Sequence, residues 1–117
     1  FGTLNNTAWV LLQTNDAKAL DYAERALAEA PDRPEVLDTL AQIYASQQNY
    51  AKAIDSLKRA INRATNTAPL QLSLAQIYIQ AQDRPNAINE LEKLMALGKS
   101  SPYYLPARKL LTEQRKV

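Results

Sequence analysis

The chain has 117 residues, 46% of them hydrophobic and 22% charged, a length and balance that fit one domain with a continuous core and require no second one. It contains neither cysteine nor histidine, which excludes disulfides and thiol nucleophiles and removes the commonest general base and transition-metal ligands. Fourteen basic and twelve acidic residues are mixed along the sequence for a net charge of +2, so there is no strong nucleic-acid footprint.

Two glycines in the whole chain, with abundant alanine, leucine and glutamine, favour helix throughout and argue against sheet. Caps, prolines and apolar spacing predict helix pairs at about 3 to 13 with 16 to 29, 34 to 47 with 50 to 63, and 69 to 81 with 84 to 97. A terminal helix is predicted at about 103 to 115. Asp32 and Glu35 have capping-box spacing, Asn49 and Asp83 are placed to cap second helices, Pro85 fits a first turn and Gly98 suits a C-cap. Pro106 would cost about 3 kcal/mol inside a helix that began at Pro102, which moves the expected start towards Leu105.

Leu40-Ala41-Gln42-Ile43-Tyr44 recurs unchanged as Leu74-Ala75-Gln76-Ile77-Tyr78, an interval of 34 residues. Ala19, Ala53 and Ala87 share that period, as do Leu20, Ile54 and Ile88. A helix-turn-helix unit of this length resembles the tetratricopeptide repeat (TPR), which buries its apolar face only by stacking on a neighbour. Leu37, Leu40, Ala41 and Tyr44, then Ala53, Leu57 and Ala60, occupy the large and small positions typical of that family. In the third repeat Gln71 stands where a large apolar residue is usual and Leu94 where a small one is, so its last helix is expected to pack less closely. In the first, Leu4, Ala8, Leu11, Ala19, Ala26 and Pro31 fit, but the turn is one residue short. The resemblance implies an all-α fold, a right-handed alpha-alpha superhelix of three repeats at about 1–33, 34–67 and 68–101 with a capping helix at about 102–117, all within a single domain spanning residues 1–117. Counting 34 residues on from Leu74, Ala75 and Tyr78 reaches Arg108, Lys109 and Thr112, so another repeat would not stack there, while Leu105, Leu110 and Leu111 are left to cover the third repeat.

Catalysis is not expected: serines and threonines have no activating histidine and there is no glycine-rich phosphate loop. Glu90 and Glu92 are two apart, hence on different helix faces, and read as solvated charges. No cofactor or metal is implied. In a TPR stack the first helices line a concave groove, and projecting the repeat frame puts Asn5, Asn6, Trp9 and Gln13 there, then Asp38, Thr39, Gln42 and Ser46, then Ser73, Gln76, Ile79 and Gln80. These amides both donate and accept hydrogen bonds and suit an extended protein or peptide segment. The carboxylate clamp of some family members is not expected, because Glu35, Asp38, Thr39 and Ser73 stand where its cations would be; a neutral or mildly basic ligand fits better. Trp9 has two readings: it stacks on a peptide side chain or a sugar ring, or it packs against a preceding repeat. Lys52, Lys58, Arg59 and Arg63 share one second helix with Asp55 and read as a solvated convex face rather than a nucleic-acid site.

Asn5-Asn6-Thr7-Ala8-Trp9, Ala19-Leu20-Asp21-Tyr22-Ala23-Glu24-Arg25-Ala26 and Leu91-Glu92-Lys93-Leu94-Met95-Ala96-Leu97-Gly98-Lys99-Ser100 are also similar to the C-terminal end of the TPR lipoproteins of PEP-CTERM exosortase and exopolysaccharide systems. That resemblance implies a periplasmic or envelope-associated scaffold, anchored upstream, for polysaccharide production or export. Its alternative is direct carbohydrate binding by Trp9 and the groove amides. Phe1 rather than methionine opens the sequence, the expectation for a piece of a longer protein with any targeting signal upstream. No apolar run approaches the roughly 20 residues of a membrane span, so insertion by this segment is not expected.

Overall fold

The computed structural model describes residues 2–116, and every regular element among them is an α-helix. Phe1 and Val117, the outer limits of the expected first repeat and capping helix, lie outside the described residues. The chain groups into two compact units that divide between Ala64 and Thr65.

The first unit holds α1 (Gly2–Gln13), α2 (Ala19–Glu29), α3 (Pro34–Ser46) and α4 (Tyr50–Arg63). α1 packs along α2 and α3 along α4, and α3 also touches both α1 and α2. Where helices lie this close the contact residues are small: Ala8, Ala23, Ala26, Ala41, Ala53 and Ala60 are wholly buried. Ala8, Ala19, Ala23, Leu40 and Ile43 form one core cluster, onto which Leu11, Leu12, Leu20, Tyr22, Leu27 and Tyr44 pack. Each larger apolar side chain fully removed from water contributes roughly 1.5 to 3 kcal/mol.

The second unit holds α5 (Ala68–Gln80), α6 (Arg84–Met95) and α7 (Tyr104–Arg115), with α6 in contact with the other two. Leu91 and Leu94 are wholly buried among Ala68, Ala75, Ala107 and Leu111. The large Leu94 is accommodated because three of these neighbours are alanines. Pro106 is the third residue of α7, within the first turn, where a missing N–H costs nothing.

Each of the three helix pairs is joined by the same backbone device. Asn15, Gln48 and Gln82 adopt left-handed φ of 60°, 61° and 61°. The next residue's N–H then donates back to a carbonyl five residues earlier: Asp16 to Leu11, Asn49 to Tyr44 and Asp83 to Tyr78, all at 2.8 Å. This is the bond pattern of a Schellman motif, which satisfies the free carbonyls at a helix end. After it, the Asn49 and Asp83 side chains accept from the N–H of Lys52 and Asn86, as N-caps should.

The first repeat departs from the others just past this motif. Only Ala17 and Lys18 separate Asp16 from the buried Ala19, whereas Tyr50, Ala51 and Lys52 separate Asn49 from Ala53. Asp16 therefore accepts from Lys18 N–H at 2.9 Å in a tight Asx turn, and α2 starts at Ala19 rather than at the expected residue 16.

Other expectations are corrected. Asp32 is not the cap of α3: Arg33 occupies that position without a side-chain bond, and Asp32, at φ 63°, turns its carboxylate to Arg59 at 2.9 Å and Arg63 at 3.4 Å. α6 ends at Met95 with Ala96 as its C-cap, and Gly98, two residues further, takes the positive φ of 100°. Leu105 does not cover the third repeat but is 70% exposed; Ala107, Leu110 and Leu111 do, because a helix that starts at Tyr104 turns this stripe inward and Leu105 outward. Glu90 is not solvated: it sits on the stripe of Ala87, Leu91 and Leu94, is 9% exposed, and its Oε1 accepts from Lys93 Nζ at 3.3 Å.

Candidate functional site

Asn5, Trp9 and Gln13 are spaced by four residues and so share one face of α1, with Asn6 beside them. Trp9 is 46% exposed and Asn6 and Gln13 are exposed, while Asn5 is half-buried. Asn5 Oδ1 is itself buried and has no hydrogen-bond partner among the described residues. On α3, Asp38, Gln42 and Ser46 repeat that four-residue spacing, and Gln42 Nε2 donates to Asp38 Oδ1 at 3.4 Å. The Ser46 hydroxyl donates to Ile43 O at 2.6 Å. Thr39 lies elsewhere: it is 6% exposed, and its hydroxyl donates to the Glu35 carbonyl at 3.0 Å. The first unit thus offers an indole, several primary amides and two carboxylates, Glu35 and Asp38, on its first helices.

In the second unit Gln76 and Gln80 are exposed one turn apart on α5, and Ser73 and Ile79 are half-buried. Gln76 and Gln80 could each present an amide to a backbone alongside.

The basic residues of α4 are largely engaged by their own fold. Arg59 and Arg63 share Asp32, 27 residues before Arg59, and Lys52 Nζ lies 5.5 Å from the centre of the Tyr44 ring. Asp55, the acidic residue on the same helix, is not their partner in these pairs; Asp32 is, at long range and with no local signal. A further feature absent from the sequence reading is a cleft in the first unit, floored by Leu12, Ala19, Leu20 and Ile43 and rimmed by Asn15, Asp16, Ser46 and Gln47.

Alanine-packed helix pairs, joined by one repeated turn and carrying polar first helices, define a helical-repeat protein of the TPR type. Residues 13–105 match the family profile described as "Anaphase-promoting complex, cyclosome, subunit 3", and the chain belongs to this TPR-like family. No curated protein matches it. Among solved structures it is similar to the "Assembly Chaperone of RpL4 (Acl4) (Residues 1-338)", at 22% identity and a TM-score of 0.62. That match covers 98% of this chain and 47% of the other, so the chain spans about half the length of the structure it resembles.

Proposed function

We propose that the chain is a non-catalytic protein-interaction scaffold whose first-helix faces hold an extended segment of a partner protein. The observation that carries this reading is Trp9, which is 46% exposed on a face with Asn6 and Gln13 rather than buried in the core. An indole supplies a large contact area at low entropic cost, and flanking amides can bond a peptide backbone. Membership of a TPR-like family and the fold shared with an assembly chaperone support a protein partner. Among the described residues no helix is long and apolar enough to cross a membrane. The place of the scaffold in an exopolysaccharide system of the cell envelope is proposed on the resemblance of the Asn5 to Trp9, Ala19 to Ala26 and Leu91 to Ser100 segments alone.

The test installs a photo-crosslinking amino acid at Gln42 or Gln76 and, as a control, at Lys58 on α4, and irradiates each in lysate of the source organism. Protein adducts specific to the first two positions are expected. Adducts that form only from Lys58 would overturn the assignment. The exposure of Trp9 also favours one rival, a sugar ring stacked on the indole; saturable quenching of its fluorescence by an oligosaccharide, with no crosslinked protein, would select that reading.

A further inference from the structure

The cleft between the α1–α2 turn and the end of α3 has a volume of about 230 Å3 and lies where the first repeat is one residue shorter than the other two. Aligning Asp16 with Asn49 and Asp83, and Ala19 with Ala53 and Ala87, leaves Tyr50 and Arg84 without a counterpart. In the third repeat the matching place is also open, about 580 Å3 and lined by Ile79, Gln82, Arg84 and Gln114, of which Ile79 and Gln82 correspond to Leu12 and Asn15 of the cleft. The third-repeat opening thus carries a cation of the chain itself, Arg84, whereas the first-repeat cleft has no cation and one carboxylate, Asp16.

We propose that this cleft receives an arginine side chain from a partner protein. Leu12, Ala19, Leu20 and Ile43 can cover the aliphatic stem. Around them stand acceptors: the Asp16 carboxylate, which accepts one bond from Lys18 N–H, the amide oxygens of Asn15 and Gln47, and the Ser46 oxygen, whose proton is already directed to Ile43 O. No lysine or arginine lines the cleft, so the rim carries a formal charge of −1. A guanidinium brings five donors and no acceptor, which suits a rim of this kind. Tyrosine, the other residue the chain itself uses at this position, offers a single donor and no charge to meet Asp16. The cleft shares Ser46 with the first-helix face of α3 but requires neither Trp9 nor Gln42, so the two readings can fail separately.

The experiment is an NMR titration of the isotope-labelled protein with a blocked alanine pentapeptide bearing a central arginine, compared with its tyrosine and all-alanine versions. The arginine peptide is expected to shift Leu12, Asn15, Ile43 and Gln47 resonances and to bind at least about tenfold more tightly than the alanine peptide, a difference of about 1.4 kcal/mol. Asp16→Asn should weaken it at least about threefold. Ala17→Arg, which offers the cleft an arginine from the chain itself, and insertion of a tyrosine after Asp16, which restores the 34-residue period, should each abolish the shifts while resonances of α5 to α7 stay in place. Equal binding of the arginine and alanine peptides, tyrosine binding as tightly as arginine, or undiminished binding by Asp16→Asn and Ala17→Arg would each overturn the proposal.

Discussion

Replacing Leu94 by alanine tests the core of the second unit, and the magnitude follows from its surroundings. Leu94 is fully buried, and deleting three carbons forfeits about 0.8 kcal/mol each, or about 2.4 kcal/mol of transfer free energy. Three of its cluster neighbours are Ala68, Ala75 and Ala107, which have no side-chain length with which to fill the void. A cavity term is therefore added, and the total should fall near 3 to 4 kcal/mol, in the middle of the ~2 to 5 kcal/mol range for such changes. With a urea slope of about 2 kcal/mol per molar, the midpoint of the transition that reports on this unit should fall by about 1.5 to 2 M. The control is Leu105→Ala on α7: the side chain is 70% exposed, and its loss should stay within about 0.5 kcal/mol. Urea titrations followed by circular dichroism would measure both. If the two variants unfolded within about 0.5 M of each other, the inward and outward faces assigned to α6 and α7 would be wrong.

Ala41→Leu should overpack a site with no exposed surface and cost about 1 to 3 kcal/mol, read as an earlier urea midpoint than an exposed-alanine control such as Ala28→Leu. Asp32→Asn keeps a residue that tolerates left-handed φ but removes the carboxylate shared by Arg59 and Arg63; because these groups are partly exposed, the loss should be no more than about 1 kcal/mol and should shrink in high salt, as thermal melts at two ionic strengths would reveal. Gln82→Gly should leave stability unchanged or raise it by up to about 1 kcal/mol, since glycine carries no penalty at φ 61°, whereas Gln82→Val should lower it; equal melting temperatures for the glycine and valine variants would contradict the left-handed turn.

The repeat frame was legible because its signal is the size of side chains at fixed spacing. Ala19, Ala53 and Ala87 stand out by period alone and all are buried, as are Ala41 and Ala75. Asn49 and Asp83 could be recognised as caps because capping is local, with donor and acceptor three residues apart. Asp32 followed the same local rule and misled, since its true partners come from α4, far along the sequence. Leu105 and Glu90 were misassigned because burial on a short helix depends on where the helix starts and what faces it. A shift of one residue turns a side chain by roughly 100°, as 3.6 residues make a turn. The left-handed glutamines carried no warning, because glutamine is not among the residues that favour that conformation.

The shared turn also determines where the protein can change its length. Up to Asp16, Asn49 and Asp83 the path is closed by a backbone bond that spans a set number of residues, so side chains there can vary, as Asn15, Gln48 and Gln82 do, but an insertion or deletion would open the ring. Beyond those residues the only obligation is to deliver the next alanine to its contact, and the first repeat does so with one residue fewer. Divergence among copies of this unit is thus channelled to a single step of the chain, where gaining or losing a residue reshapes the surface without disturbing the frame beneath it.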